Sequence, residues 1–250
     1  MIFRQLIEAD SSTYTYLLGC AETRQAVLID PVLDTVNRDL EILQQLRLKL
    51  MYTLDTHFHA DHLTGARLLR ERTGCKVIFP EVEKPECADH GVKEGTLFRV
   101  GSIVLEPLFT PGHTSHHHAY LLDDDTRKMV FTGDALLIDG CGRTDFQSGD
   151  AAILYRSIHD KLFSLPDETL VYPGHDYDGR FVSCIAQEKA RNPRLGGGKS
   201  LEEFIAIMDG LDLPYPRKID FAVPGNEECG KCPENVPEQY RRPCDSYEQG

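Results

Sequence analysis

The segment 57–62 concentrates side chains that can bind a metal ion. It carries the pattern H-x-H-x-D-H, formed by His57, His59, Asp61 and His62. The apolar run 50–54 before it predicts a buried strand, so the pattern lies in the loop where that strand ends. Imidazole and carboxylate are ligands that zinc, iron and manganese accept, whereas structural zinc sites favour thiolates.

Three later segments each end an apolar run with a glycine-containing turn, and each turn carries a histidine or an aspartate. These residues are His113, Asp134 and His175. Strand ends that converge on one rim can assemble a site from distant parts of a chain, and glycine lets the backbone bend close to an ion. The sequence therefore predicts one metal centre built from all these segments.

The complete set of ligand types, in this order, resembles the metallo-β-lactamase superfamily. The resemblance implies an α/β fold, an αββα sandwich of two mixed β-sheets flanked by helices, with the metal at the sheet edges. Further segments resemble the persulfide dioxygenase (sulfur dioxygenase) branch, which is related to glyoxalase II. These segments are TGDALLI at 132–138, GCGRTDFQ at 140–147, HDY at 175–177 and DFAVP at 220–224.

The branch resemblance implies an enzyme that oxidises glutathione persulfide with dioxygen and water, giving sulfite and glutathione. It also implies one Fe(II) per subunit, held by His57, His113 and Asp134. Two histidines and one carboxylate leave open positions at the ion, as non-haem iron oxygenases require. The other metal-binding side chains would either support these ligands or form a second metal position; they are His59, Asp61, His62 and His175.

The resemblance further implies a place for the substrate beside the metal. Arg143 would bind a carboxylate of the glutathione part, because a guanidinium can hold a carboxylate through two hydrogen bonds. Tyr177 would contact the substrate, and together with His175 and Asp61 it is a candidate catalytic residue. The alternatives are a surface ion pair between Arg143 and Asp145 and a tyrosine that only packs.

Two other functions are open. In a thioester hydrolase resembling glyoxalase II, all seven ligands would hold two metal ions, and a bridging hydroxide would attack a glutathione thioester. A non-catalytic metal or sulfur carrier would instead use Cys229 and Cys232 near the C-terminus. The segments 135–147, 176–177 and 220–224 resemble the dioxygenases more closely than the hydrolases, so they favour the dioxygenase.

Composition favours a single enzyme domain. Of the 250 residues 41% are hydrophobic, which suffices for a catalytic domain at 1–226 followed by a polar, cysteine-containing tail at 227–250. The net charge of −13 argues against nucleic-acid binding, because a phosphate backbone would be repelled. No apolar run is long enough to span a bilayer and no targeting leader is evident, so we expect a cytoplasmic protein. The family resemblance implies a homodimer.

The eight cysteines do not resemble a disulfide framework. Five are isolated in sequence, and we expect them to be free thiols in a reducing compartment; they are Cys20, Cys75, Cys87, Cys141 and Cys184. The other three lie in the polar tail, which we expect to be disordered; they are Cys229, Cys232 and Cys244. A zinc site or a redox pair in the tail is the alternative.

Periodic patterns predict an alternation of strands and helices. Apolar positions at helical spacing predict five amphipathic helices, at 34–47, 63–72, 151–165, 180–191 and 200–211. The polar segment 85–95 is predicted to be a loop. The run His116-His117-His118 begins a predicted strand, where we expect exposed imidazoles, with a contact to the metal site as the alternative.

Overall fold

Two six-stranded sheets form the centre of the protein, as described for residues 1–124 and 126–248 by a computed structural model. The first sheet contains, in spatial order, β1 (Ile2–Glu8), β2 (Thr13–Gly19), β3 (Gln25–Ile29), β4 (Lys49–Leu54), β5 (Lys76–Pro80) and β6 (His90–Val92). The second contains β7 (Phe98–Val100), β8 (Ile103–Phe109), β9 (His118–Asp123), β10 (Lys128–Gly133), β11 (Leu170–Pro173) and β12 (Ser183–Cys184). Both sheets mix parallel and antiparallel pairs.

Helices cover the outer face of each sheet, which confirms the αββα sandwich. They are α1 (Val36–Gln45), α2 (Ala66–Thr73), α3 (Ala151–Ser157), α4 (Ile185–Arg191), α5 (Leu201–Asp209), α6 (Ile219–Glu227) and α7 (Arg242–Glu248). Within the described residues, none of these helices has the length and apolar character that crossing a bilayer requires.

Strand β2 shows how the layers form. Its seven residues are all buried, and side chains alternate between the two faces of a strand. Tyr16 and Leu18 therefore enter the core between the sheets, where they meet Phe131 and Tyr172 of the second sheet. Leu17 points the other way, into the core between the first sheet and its helices. A strand that is covered on both faces lacks the alternation of polar and apolar residues that a half-exposed strand shows.

The element boundaries differ from the predictions in several places. The helix predicted at 63–72 begins at Ala66, and the helix predicted at 151–165 is α-helical to Ser157 and π-helical over Ile158–Leu162. The predicted loop 85–95 contains strand β6, which pairs with β5 over only three residues and is too short for an alternating pattern. The predicted helix 180–191 starts at Ile185, because Ser183 and Cys184 extend the second sheet beside β11. Helix α6 was not predicted, since Pro224 inside it is a strong signal against a helix.

The prediction of a disordered tail is wrong for the described residues. After α6 the chain forms a 3-10 turn at Glu238–Tyr240 and helix α7. Val236 and Cys244 are buried in the core between the first sheet and its helices, together with Phe221 of α6. A few apolar anchors thus hold a segment whose average composition is polar. The domain boundary after residue 226 stays a prediction, and residues 249–250 lie outside the described chain.

Two disulfides anchor this C-terminal segment. Cys87 pairs with Cys229, which is 142 residues away in sequence, and Cys232 pairs with Cys244. The prediction of a free thiol is therefore wrong for Cys87, because pairing at such a distance leaves no spacing signature. It is confirmed for the four cysteines Cys20, Cys75, Cys141 and Cys184. The paired tail cysteines offer no thiolates for a zinc site in this structure.

Helix α1 buries a carboxylate whose effect on stability depends on pH. Burial raises the pKa of Asp39 to about 6, although Arg38 beside it acts in the opposite direction. Because the folded state binds this proton more tightly, the free energy of unfolding falls as the pH rises from about 4 to about 6. We compare the free energy of unfolding of Asp39→Asn with that of wild type at each pH. This difference is expected to favour the variant by up to about 3 kcal/mol more at pH 8 than at pH 4.

Urea unfolding at both pH values measures this difference. Glu41→Gln on the same helix is the matched control, because Glu41 is exposed to solvent. Its effect on stability is expected to remain within about 0.5 kcal/mol at both pH values. A stability difference for Asp39→Asn that does not change with pH would contradict the assignment of a raised pKa to Asp39.

Candidate metal centre

Three predicted metal ligands meet at the seam between the two sheets. His57 follows β4 of the first sheet, whereas His113 follows β8 and Asp134 follows β10 of the second. One nitrogen of each histidine and one oxygen of Asp134 all lie within 4.8 Å of one another. His113 Nε2 is 3.6 Å from Asp134 Oδ2. The structure thus brings the predicted set together, while its role in binding a metal stays a prediction.

The orientation of His57 is set by a chain of hydrogen bonds that ends at Asp30. The hydroxyl of Thr56 donates to Asp30 Oδ2 over 3.0 Å and lies 2.8 Å from His57 Nδ1. Since that hydroxyl has given its proton to Asp30, it accepts from His57 Nδ1, and the lone pair of the ring is on Nε2. Burial, followed by the imidazoles of His59 and His113, holds the pKa of His57 well below its usual range. The ring is therefore neutral and can act as a ligand.

The loop after β10 orients His113 in the same way. The backbone carbonyl of Arg143 accepts a hydrogen bond from His113 Nδ1 over 2.7 Å, which leaves Nε2 free. Gly142 makes this approach possible, because a Cβ at that position would lie 2.7 Å from His113 Nδ1 and 2.3 Å from the carbonyl oxygen of Asp134. The GCGR sequence thus shapes the site through its backbone.

Asp134 is held by two histidines that belong to different elements. Its Oδ1 accepts from His175 Nδ1 over 2.7 Å, and its backbone N–H donates to His117 Nε2 over 3.2 Å. Burial alone would raise the pKa of Asp134, but His175 outweighs it and holds this pKa below its usual range. The carboxylate is therefore ionised, and its Oδ2 faces His113.

The remaining four predicted residues are His59, Asp61, His62 and His175, of which Asp61, His62 and His175 are joined by hydrogen bonds and His59 lies against the ring of His62. Asp61 Oδ2 accepts from His62 Nδ1 over 3.0 Å and from His175 Nε2 over 2.9 Å. His59 Nε2 lies 3.1 Å from Asp30 Oδ1, and Asp30 raises the pKa of His59 to about 9 against the effect of burial. His59 Nδ1 and His62 Nε2 are buried and have no hydrogen-bond partner among the described residues.

The prediction that the run His116-His117-His118 is exposed is wrong, because all three side chains are buried. His117 lies between Thr110 and the backbone of Asp134 and thereby supports a ligand. His116 Nε2 accepts from the N–H of Phe58, which stands between His57 and His59 in the metal-binding loop. The run therefore packs against the metal-binding loops. Strand alternation alone could not predict which group each ring would contact.

Asn226 of α6 is a supporting residue that sequence reasoning missed. Its Nδ2 donates to the backbone carbonyls of His59 and His62, each over 2.9 Å. Its Oδ1 accepts from the N–H of Thr64 over 2.8 Å. One buried amide thus satisfies three backbone groups of the metal-binding loop. Its separation of more than 160 residues from these histidines left no local signal.

The candidate substrate residues contact metal-binding side chains, Tyr177 through its ring and Arg143 through its backbone carbonyl. Tyr177 is 71% exposed, and its ring stacks at 6.0 Å from that of His175. The guanidinium of Arg143 forms two hydrogen bonds of 2.7 Å with Asp145 and one with the carbonyl of Pro214. The alternative of an Arg143–Asp145 ion pair is therefore present in the structure. Cys141 is buried against Met208.

The donors of the three-residue set fit a divalent metal ion. His57 and His113 each hold one ring nitrogen in a hydrogen bond and present the other, and Asp134 presents one carboxylate oxygen. Two imidazoles and one carboxylate on one side of an ion form the arrangement typical of non-haem iron oxygenases. Their partners are of the kind that fix ligand orientation in metalloproteins.

Comparisons with known proteins identify the family of this chain. The model of the metallo-beta-lactamase superfamily matches residues 9–175. The mouse protein "Persulfide dioxygenase ETHE1, mitochondrial" is 50% identical, covering 92% of this chain and 89% of its own length. The crystal structure of ETHE1 from Myxococcus xanthus has a TM-score of 0.88 and 57% identity, covering 92% of this chain and 100% of that one. A hydroxyacylglutathione hydrolase from a Polaromonas species is 39% identical over 75% of this chain and 70% of its own. The chain therefore belongs to the metallo-beta-lactamase superfamily and, within it, to the family of persulfide dioxygenase ETHE1.

Proposed function

We propose that this protein is an iron(II)-dependent persulfide dioxygenase that converts glutathione persulfide, dioxygen and water to sulfite and glutathione. The observation that carries the proposal is a set of two histidines and one carboxylate in a chain that belongs to the ETHE1 family. His57, His113 and Asp134 present donor atoms to one point, and His59, Asp61 and His62 form a second group whose donor atoms also lie within 4.8 Å of one another. A hydrolase with two metal ions would need both sets as ligands. The relatives named persulfide dioxygenase ETHE1, at 50% identity, and the crystal structure of ETHE1 from Myxococcus xanthus, at 57%, support the dioxygenase.

The proposed reaction balances without a further reagent. The outer sulfur of the persulfide loses four electrons and dioxygen accepts four, while water supplies the third oxygen of sulfite and two protons are released. A ferrous ion would supply open positions for both reactants and the redox capacity that oxygen chemistry needs. Proximity of two reactants on one centre removes most of the entropic cost of their encounter.

The protein residues around the ligands have positioning roles in this proposal. His175 links Asp134 to Asp61 and so fixes the carboxylate that faces the metal position. Tyr177 is stacked on His175 and exposed, so its hydroxyl is available to a substrate that approaches from solvent. These contacts support the assignment of His175, Asp61 and Tyr177 as the residues that hold the ligands and the substrate for the reaction.

We further propose that Arg143 binds a carboxylate of the glutathione part. Arg143→Ala is expected to raise KM for glutathione persulfide about 10-fold or more, because a hydrogen bond to a charged group contributes about 1.5–3 kcal/mol. Iron content is expected to stay unchanged, since His113 bonds to the backbone of Arg143 and not to its side chain. Steady-state kinetics with metal analysis measures both.

Asp145→Asn is the matched control for this variant, because it weakens the internal ion pair and keeps the guanidinium. If Arg143 binds substrate, KM of Asp145→Asn is expected to stay near the wild-type value or fall. Equal losses in both variants would show that Arg143 acts only by holding its own loop, and the substrate-binding role would be withdrawn.

Oxygen consumption by the iron-reconstituted protein tests the proposed reaction. Adding glutathione persulfide in an oxygen electrode is expected to consume dioxygen and form sulfite in equal amounts, and His57→Ala is expected to do neither. No oxygen uptake by protein that carries near-stoichiometric iron would contradict the proposal. Hydrolysis of S-lactoylglutathione by the same sample would then favour the glyoxalase II-like alternative.

Two parts of the proposal concern the surroundings of the chain. We propose a homodimer, which sedimentation analysis of the purified protein would test. We also propose a cytoplasmic location, and the disulfides Cys87–Cys229 and Cys232–Cys244 are a reason to test it, because disulfides persist mainly in oxidising compartments. Alkylation of thiols at lysis followed by mass spectrometry would show whether the two pairs exist in the cell.

A further inference from the structure

The disulfide between Cys87 and Cys229 packs against the metal-binding loop. Cys87 belongs to the loop between β5 and β6, and Cys229 follows the end of α6. Both cysteines pack with the apolar cluster that buries Phe58, the residue between His57 and His59. The bond therefore joins two distant segments of the chain at the back of the loop that carries three of the predicted metal-binding residues.

The segment 225–230, which carries Cys229, holds the metal-binding loop through backbone hydrogen bonds. The side chain of Asn226 bonds to three backbone groups of that loop. The carbonyl of Cys229 accepts from the N–H of Arg67, at the start of α2, over 3.0 Å. A displacement of this segment would therefore release backbone groups on both sides of the loop.

The backbone at Cys229 adopts a conformation that its surroundings must enforce. Its φ of 60° lies in the left-handed region, which is unfavourable for a residue with a side chain. Such a conformation persists only where the neighbouring structure holds it. The next residue leaves no free space, because a Cβ on Gly230 would lie 1.9 Å from the carbonyl oxygen of Thr64. The disulfide to Cys87 is one of the bonds that keep this turn in place.

Cys87 is the accessible end of the bond. It is half-buried, whereas Cys229 is buried. Two cationic groups lie beside it: Arg70 Nη1 donates to the carbonyl of Cys87 over 2.7 Å, and Lys84 Nζ donates to two neighbouring carbonyls. Asp89 offsets part of this charge at 3.7 Å from Arg70. Partial exposure beside cations is the environment in which cysteine sulfur reacts readily with thiolates.

We propose that Cys87 is a thiol-exchange site, at which low-molecular-weight thiols release the hold of the segment 225–230 on the metal-binding loop. A thiolate forms a bond to Cys87 Sγ, and the bond to Cys229 breaks. The electron pair leaves on Cys229 Sγ, which takes a proton from water. A second thiol then displaces the first from Cys87, so that two thiols are oxidised to one disulfide and the protein disulfide is reduced to two cysteines.

Hydrogen exchange of the metal-free protein tests the coupling between this bond and the loop. Cys87→Ser combined with Cys229→Ser removes the bond and leaves no unpaired thiol from it. The backbone amides of residues 59–67 are expected to exchange at least about 10-fold faster than in wild type, because removing a native disulfide commonly costs more free energy than this factor requires. Amides of strand β9 in the second sheet are expected to keep their wild-type rates.

Cys232→Ser combined with Cys244→Ser is the matched control, because it removes the disulfide that lies within the C-terminal segment. Its amides at 59–67 are expected to exchange at the wild-type rate. Unchanged exchange at 59–67 in the folded Cys87→Ser, Cys229→Ser variant would overturn the inference, as would equal acceleration in the control.

Mapping of the folded wild-type protein after incubation with millimolar reduced glutathione tests the exchange site itself. Acid quenching and mass spectrometry are expected to find glutathione attached to Cys87, followed by free Cys87 and Cys229 and faster amide exchange at 59–67. This measurement also decides the question if the double-serine variant does not fold. Glutathione attached to Cys229 alone, or a Cys87–Cys229 bond that stays closed while Cys232–Cys244 opens, would overturn the inference.

Neither measurement uses iron, dioxygen or persulfide, so an error in the proposed reaction leaves both results unaffected. Conversely, a protein that consumes oxygen with glutathione persulfide but keeps slow exchange at 59–67 after the bond is opened would overturn the role of Cys87 and leave the reaction standing.

Discussion

Replacing His113 with alanine is expected to remove the bound iron and the oxygenase activity together. The variant retains only His57 and Asp134 of the three-residue set. Loss of a residue that merely supports a ligand lowers metal affinity by about 10–100-fold, so we expect loss of a ligand to lower it by about 100-fold or more. Iron per chain after gel filtration, measured beside oxygen uptake, gives both quantities on one sample.

His90→Ala is the matched control for this experiment, because His90 is an exposed histidine of strand β6. Its iron content and activity are expected to equal those of wild type. Full iron occupancy in His113→Ala would remove His113 from the ligand set. Loss of iron in both variants would show that the assay detects general destabilisation.

Replacing Asp30 with alanine is expected to lower the free energy of unfolding by about 3–5 kcal/mol, the range seen when one partner of a buried charged pair is removed. The Asp30 carboxylate is fully buried, accepts from both the N–H and the hydroxyl of Thr56, and pairs with His59. Its backbone φ of 49° adds strain for alanine, because aspartate tolerates the left-handed region better. Urea unfolding of metal-free protein measures the loss without a contribution from metal binding.

Asp30→Asn separates the charge from the shape of this side chain. Asparagine also tolerates the left-handed region and can accept from Thr56, so a smaller loss than that of Asp30→Ala is expected. Asp212→Ala, at an exposed position, is expected to change stability by no more than about 0.5 kcal/mol. A similarly small change for Asp30→Ala would contradict the idea that Asp30 anchors the metal-binding loop.

The sequence predicted the ligands because each of them ends a strand and carries a distinctive side chain. His57, His113 and Asp134 needed only the topology of the sandwich to meet, and that topology followed from the family resemblance. The residues that orient them were beyond sequence reasoning. Asp30 orients His57 through Thr56, and Asn226 holds the backbone of the metal-binding loop; each is a single polar residue in a distant part of the chain.

The prediction of a disordered C-terminal segment was wrong for a related reason. A polar segment is predicted to be disordered because it has too few apolar groups to form a core by itself. This segment instead packs its few apolar side chains into the core that α1 and α2 line. Val236 and Cys244 enter that core, and the disulfides to Cys87 and within the segment depend on pairing that composition does not show. Local averages cannot detect stabilisation that comes from a few distant contacts.

The bond between Cys87 and Cys229 closes the chain into a covalent ring that contains His113, Asp134 and His175. A protease cut between residues 88 and 228, for example beside the exposed Arg127, therefore opens the ring without separating the two pieces. A nicked chain would move as one band on a non-reducing gel and as two after reduction. The metal-binding residues would therefore stay in one covalently linked molecule after a single backbone cut, because both fragments remain attached to the same folded sandwich.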